Sequence, residues 1–283
     1  MNYNWNNVNH YVMCYTWIKQ AKKYLTKKDV CFIFSKKKLP NFFLEKMHSS
    51  NTCQFKNYVT AGLEDNILFP QYSCPEKKYL DNIKFKLFIT TNINFNYFFI
   101  DADAFIVGDI KEIEEIIEDK PVVFVDHETV PGYTDKLPYF LNSGCFLVND
   151  PNKKIYNWEK IYDHGKKCGF SPSFKQTLEK IPGTDQAVLM SYFEKIGYDY
   201  HHEKFDTKYN TCATNVIFEY KKNLNEYKFK TKNNEVKIIH YWDPFKPWSV
   251  NCPIFEETLN DSILNKCKFF DKSRQYKKNY IKI

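Results

Sequence analysis

The sequence predicts an α/β fold, a mostly parallel central sheet flanked by helices, and three features point there. Strand-like and helix-like patterns alternate along the chain. Runs such as Tyr97-Phe98-Phe99-Ile100 and Val122-Val123-Phe124-Val125 are apolar without a break. A strand with one wet face alternates, so an unbroken run marks a strand covered on both faces, as in a parallel sheet. Finally, the runs end in ionisable residues: Asp101 and Asp103, Asp126, and His240. In open α/β sheets the strand ends are where ligands bind.

Taken in order, residues 1–9 are polar and Asn-rich, with at best a short first strand around Asn2–Trp5. Tyr11, Cys14, Tyr15, Ile18, Ala21 and Leu25 then recur at helical spacing, predicting an amphipathic helix over 8–25. Asp29 to Phe34 reads as the next strand, giving a β-α-β order. Between 35 and 78 only Tyr58-Val59-Thr60 looks strand-like, and the stretch from Pro70 to Pro75 reads as a loop. Leu80 to Thr91 reads as a helix with Ile83, Leu87 and Phe88 on one face.

After the strand at 97–100 comes Ile106 to Ile110, then a helix to Lys120 with Ile113, Ile116 and Ile117 turned inward. Pro121 to Val125 is a strand; Asn142-Ser143-Gly144 reads as a turn into another, Cys145 to Val148. Ile155 to Cys168 reads as helical, and Pro182-Gly183-Thr184 as the turn before a helix from Asp185 to Ile196. Residues 197–235 have no clear period, and Val236 to Ile239 is the last strand. No repeat or Gly/Ser linker interrupts the chain, so 1–265 reads as one domain. The tail, 266–283, holds seven basic residues against Asp271 alone. It reads as a terminal helix docked on that domain; its alternative is weak contact with an anionic membrane surface.

Composition excludes several classes. With 43% apolar and 27% charged residues the chain is an ordinary globular protein. The net charge of +7 is mild, and among 41 basic residues only Arg274 carries the guanidinium fork suited to base readout, so no nucleic-acid partner is expected. Nine cysteines without Cys-x-x-Cys or zinc spacing fit a reducing compartment. No secretory segment or bilayer-length apolar run is present, so the expectation is a soluble, cytoplasmic protein. Eight glycines and no Gly-x-Gly-x-x-Gly or P-loop remove the usual nucleotide fingerprints.

What remains is a set of polar residues at strand ends. Asp101 and Asp103, two residues apart in a tight turn, can aim their oxygens at one point, and such a pair needs a proton or cation between them. Hard oxygen ligands suit Mg²⁺ or Mn²⁺, and a nearby imidazole tilts the choice to Mn²⁺. Strands ending in Asp103, Asp126 and His240 are expected to bring these residues to one rim. Lys246, close behind His240, supplies a point charge suited to phosphate. His201-His202-Glu203 reads as a solvated loop outside the site. Trp242 and Trp248 read as packing residues.

Ile100-Asp101-Ala102-Asp103, Leu141-Asn142-Ser143-Gly144, Thr184-Asp185-Gln186 and His240-Tyr241-Trp242-Asp243-Pro244-Phe245-Lys246-Pro247-Trp248 stand in the order found in glycosyltransferase family 8, whose members include glycogenin and bacterial lipopolysaccharide galactosyltransferases. The last segment resembles that family's His-x-x-Gly-x-x-Lys-Pro-Trp signature with both spacings kept and Asp243 in place of the glycine. Four motifs in order are far more specific than Asp-x-Asp alone. The resemblance implies a Rossmann-like GT-A fold, a nucleotide-sugar donor, usually UDP-linked, and a Mn²⁺ cofactor, with Mg²⁺ as the alternative. It further implies transfer of a hexose with retention of configuration.

By the same resemblance Asp103 and His240 bind the metal, and Asp101 shares it or holds the donor ribose. Lys246 faces the diphosphate. Asn142, Asp126, Asp185 and Gln186 line the sugar and acceptor side, although Asp185 is equally suited to complement its helix N-terminus. Lys84, with Lys86 as its rival, holds the donor, and Asn6 and Asn7 stand where nucleobase contacts fall. The acceptor, whether glycan, protein or lipid, is left open, as is the oligomeric state. Two other classes compete. One is a haloacid-dehalogenase-like phosphohydrolase, although Phe105 stands where that pattern wants Thr or Val. The other is a catalytically silent sugar- or nucleotide-binding protein of the same fold.

Overall fold

Helix α1 (Val8–Tyr24) forms as its apolar spacing predicts, and its last turn carries Lys22 and Lys23, which complement the C-terminal dipole. Its buried face is wider than expected: Val12, Met13 and Thr16 are covered as well as Tyr15, Ile18 and Ala21. The computed structural model describes residues 8–35, 41–49, 53–59, 93–126, 141–167, 185–222, 226–242 and 245–260. The expected first strand, the 80–91 helix, the turn at 182–184 and the tail lie outside them, as do Asn6, Asn7, Lys84 and Lys86.

Strand β1 (Val30–Ser35) and β2 (Gln54–Val59) pair in parallel across helix α2 (Asn41–His48), a β-α-β crossover. Helix α2 escaped the sequence reading because, among its described side chains, the fully buried seam is Phe43 and Met47, four residues apart.

Strand β3 (Tyr97–Ile100) and β4 (Ala104–Ile106) flank the Asp101-Ala102-Asp103 turn, and β4 leads on to helix α3 (Ile113–Asp119). Strand β5 (Val122–Asp126) and β6 (Leu141–Val148) complete a sheet of order β3-β6-β5. The α/β class stands, but within the described residues this sheet is antiparallel at both pairings, and β3 is half-buried rather than covered on both faces. An apolar run reports burial and carries no information on the direction of its neighbour.

Covering helices explain the unbroken runs of β5 and β6. Val122, Phe124, Leu141, Phe146 and Val148 pack on helix α4 (Trp158–Lys167) and helix α5 (Asp185–Ile196). From the opposite face Val123, Val125 and Leu147 pack on α3, Phe205 and Tyr209. Helix α4 begins later than expected because the Asp150 carboxylate accepts from the N–H groups of Lys154, Ile155 and Tyr156, holding that stretch in a turn. The Asn157 side chain then accepts from the Lys160 N–H, as an N-cap does. Helix α5 stops at Gly197, whose φ of 64° suits a glycine at the C-terminal cap.

The region without period, 197–235, holds a 3₁₀ turn at Thr207–Tyr209, the two-residue strand β7 (Thr211–Cys212), and a hairpin of β8 (Ile217–Lys221) and β9 (Glu226–Lys230). Strand β10 (Ile238–His240) lies antiparallel to β4 and parallel to β7. Phe105, Ile239 and Tyr241 from this second sheet join a core with α1, α2 and helix α6 (Pro253–Leu259). Trp248 packs there too, against Phe255, as expected of a packing residue.

Candidate functional site

The Asp101-Ala102-Asp103 turn is where the chain leaves one sheet for the other, and backbone bonds fix it from both sides. The Asp101 N–H donates to the Gly144 carbonyl on β6 (2.7 Å), and the Tyr241 N–H donates to the Asp103 carbonyl (2.8 Å). Within the turn the Ala104 N–H donates to the Asp101 carbonyl (2.9 Å). In the β4–β10 register His240 faces Ala104, so the last residue of β10 reaches the second aspartate.

Asp101, Asp103 and His240 thereby converge: one ligand atom from each lies within 4.8 Å of the others. His240 Nε2 is 3.6 Å from Asp103 Oδ1 and 4.0 Å from Asp101 Oδ2. Both distances exceed hydrogen-bond length. Asp103 is fully buried, and its Oδ1 has no hydrogen-bond partner among the described residues. Its other oxygen accepts from the Lys246 ammonium at 2.5 Å. Burial opposes ionisation of Asp103, but the Lys246 ammonium and the His240 imidazole outweigh it and hold the carboxyl well below the usual carboxylate range. A buried, ionised oxygen left without a donor beside a second carboxylate and an imidazole nitrogen fits a hard divalent cation that tolerates nitrogen.

Two residues that the sequence reading did not single out for this purpose shape the cluster. Asn210, buried just ahead of β7, places Oδ1 2.9 Å from His240 Nδ1. Gly144 leaves space for the ring: a Cβ there would lie 2.1 Å from His240 Cε1. Asn142-Ser143-Gly144 is accordingly part of β6 rather than a turn before it. The strand bulges away from β5 here, since Phe124 faces Phe146 while Val125 faces Asn142. Asn142 Oδ1 accepts from the Gly144 N–H (2.8 Å) and Gln186 Oε1 from the Ser143 N–H (3.1 Å), so both side chains hold the bulge that carries Gly144.

Asp126 does not join the metal cluster found among the described residues. It ends β5 opposite Leu141, next to Asn142; β3 and β5 both run antiparallel to β6 and so leave the sheet at the same edge, with β6 between Asp126 and the Asp101–Asp103 turn. Its Oδ1 is 3.0 Å from His201 Nδ1. Burial raises the Asp126 carboxyl pKa, with His201 opposing and Asp199 adding to the shift. The 199–202 segment is therefore not a free solvated loop. Lys120 donates to Asp199 Oδ2 (2.9 Å) and the His201 carbonyl (2.5 Å), and His202 Nε2 lies 3.0 Å from Asp119. Asp185 opens α5 one residue before Gln186.

No protein-family model matches this chain, and no curated protein matches it in sequence. Solved structures do. The crystal structure of mouse xyloside xylosyltransferase 1, in its apo form, is 14% identical with a TM-score of 0.53, over 84% of this chain and 94% of that one. The crystal structure of the galactosyltransferase LgtC, in complex with donor and acceptor sugar analogs, is 14% identical with a TM-score of 0.48, over 89% and 92%. The fold is the α/β architecture of GT-A glycosyltransferases. No helix among the described residues is long and apolar enough to cross a membrane.

Proposed function

We propose that this protein is a Mn²⁺-dependent retaining glycosyltransferase that moves a hexose from a UDP-sugar to a glycan, protein or lipid acceptor. The observation that carries the proposal is the meeting of Asp101, Asp103 and His240 around a buried carboxylate oxygen that has no hydrogen-bond partner among the described residues. Asp101, Asp103 and His240 Nε2 would hold the metal, which when bound neutralises the diphosphate charge as a Lewis acid. Lys246, already at the edge of the cluster, is placed to meet the charge that grows on the leaving diphosphate. Gln186, Asn142 and Asp126 follow one another along β6 and its neighbours, on the side we assign to the sugar and acceptor. Asp185 belongs with them by its place at the start of α5. Lys84 is assigned to the donor by its motif, and Asn6 and Asn7 by their place at the expected first strand. No side chain is assigned as nucleophile.

Calorimetry of UDP binding with and without Mn²⁺ tests this reading. Wild-type protein should bind only with metal, and Asp103→Ala and His240→Ala should lose that binding while keeping their fold. Equal binding with and without metal would refute it. Hydrolysis assays across UDP- and GDP-sugars then identify the donor. Release of inorganic phosphate from simple phosphomonoesters would favour a phosphohydrolase, and metal-dependent binding without turnover a silent binder.

A further inference from the structure

An imidazole offers two nitrogens, and a metal can use only the one that is bare. His240 turns Nε2 toward Asp101 and Asp103 and Nδ1 toward Asn210 Oδ1, 2.9 Å away. An amide oxygen can only accept, so Nδ1 must carry the proton and Nε2 presents its lone pair to the carboxylate cluster. The opposite amide orientation would put an N–H against Nδ1 and drive the proton to Nε2, into the place of the cation.

Three further observations single out this contact. Asn210 is buried, and its Nδ2 has no hydrogen-bond partner among the described residues. A buried donor left unsatisfied destabilises the fold. An apolar residue would avoid that cost, so what the position needs is the oxygen. The backbone around Asn210 is also tightly fixed. Its N–H donates to the Thr207 carbonyl, and the next residue, Thr211, pairs with Ile239 on β10. The third observation is Gly144, whose missing side chain lets the ring fill the space beside β6.

We propose that Asn210 is a positioning residue that fixes the tautomer and orientation of His240 for metal binding through Nε2. This rests on the reading of Asp101, Asp103 and His240 as a metal site. Outer partners of histidine ligands typically govern about 10–100-fold in metal affinity.

The test is a Mn²⁺ titration without nucleotide, followed by electron paramagnetic resonance of the free ion, on wild type, Asn210→Ala, Asn210→Asp and Asp103→Ala. Metal-free thermal unfolding of each variant is measured alongside. Asn210→Ala should weaken Mn²⁺ binding about 10–100-fold, and Asn210→Asp, which keeps an acceptor at the same place, should restore it to within a few-fold of wild type. Wild-type affinity in a folded Asn210→Ala would overturn the inference, as would Asn210→Asp as weak as Asn210→Ala. If Asn210→Ala does not fold, Asn210→Asp decides alone: retained affinity supports the role and a tenfold loss overturns it. If wild type binds no Mn²⁺ that Asp103→Ala removes, the metal site itself falls. Binding that Asp103→Ala removes and Asn210→Ala leaves intact sinks only the role of Asn210.

Discussion

Gly144 and Lys246 show how single residues constrain the cluster. A methyl group at Gly144 would occupy the imidazole's own volume, 2.1 Å from Cε1 and 2.5 Å from Nδ1, and the ring is held at Nδ1 by Asn210. Gly144→Ala should therefore cost about 1–3 kcal/mol of stability, the usual range for overpacking. It should also weaken Mn²⁺ binding at least tenfold, read by thermal unfolding and metal titration; an unchanged metal affinity would mean that the ring does not depend on this space. Lys246 neutralises a fully buried carboxylate, and removing one partner of a buried pair typically costs about 3–5 kcal/mol. Lys246→Met should accordingly unfold earlier in metal-free buffer and regain much of the loss when Mn²⁺ is added. No recovery would show that the cation does not bind at Asp103. Asp101, Asp103, His240 and Lys246 were legible because each falls in a short motif, Asp101-Ala102-Asp103 or His240 to Lys246. The role of Gly144 toward a residue 96 positions later was not, since a glycine before a strand also reads as an ordinary turn. Asn210 sits where no apolar period marks structure.

At the level of elements, β5 is anchored at its outer edge by the segment that follows α5. Tyr198 both donates to the Val122 carbonyl and accepts from its N–H, the Phe124 N–H donates to the Tyr200 carbonyl, and Lys120 grips Asp199 and the His201 carbonyl. The Lys120 ammonium, donating to Asp199, lowers that carboxyl's pKa. A lowered folded-state value means that the stabilisation is complete above the unfolded pKa of about 4 and disappears as pH falls through the folded one. Asp199→Asn should thus melt slightly below wild type at neutral pH, and the gap should close on acidification. It should be small, because the pair is exposed; a gap that persists at pH 2 would assign the effect to something other than charge. The position of α1 follows from apolar period, those of β1, β3 and β5 from apolar runs, and that of α5 from the turn that precedes it. Strand direction does not, because Val122 to Val125 would look the same beside a parallel or an antiparallel neighbour.

For the molecule as a whole, the site exists because two sheets share one turn. The β3-β6-β5 sheet delivers Asp101 and Gly144, the β4-β10-β7 sheet delivers His240 and, through its flank, Asn210, and Asp103 stands between them. The α/β class was readable from the alternation of patterns, whereas the meeting of the two sheets depends on pairings between β10, β4 and β7 that strands of two and three residues do not announce. The most direct measurement is anomalous diffraction at the manganese edge from crystals soaked in Mn²⁺ and UDP. One peak bounded by Asp101, Asp103 and His240 Nε2, with the diphosphate against it and near Lys246, is the predicted result. Manganese bound elsewhere, or a diphosphate seated away from these residues, would contradict it.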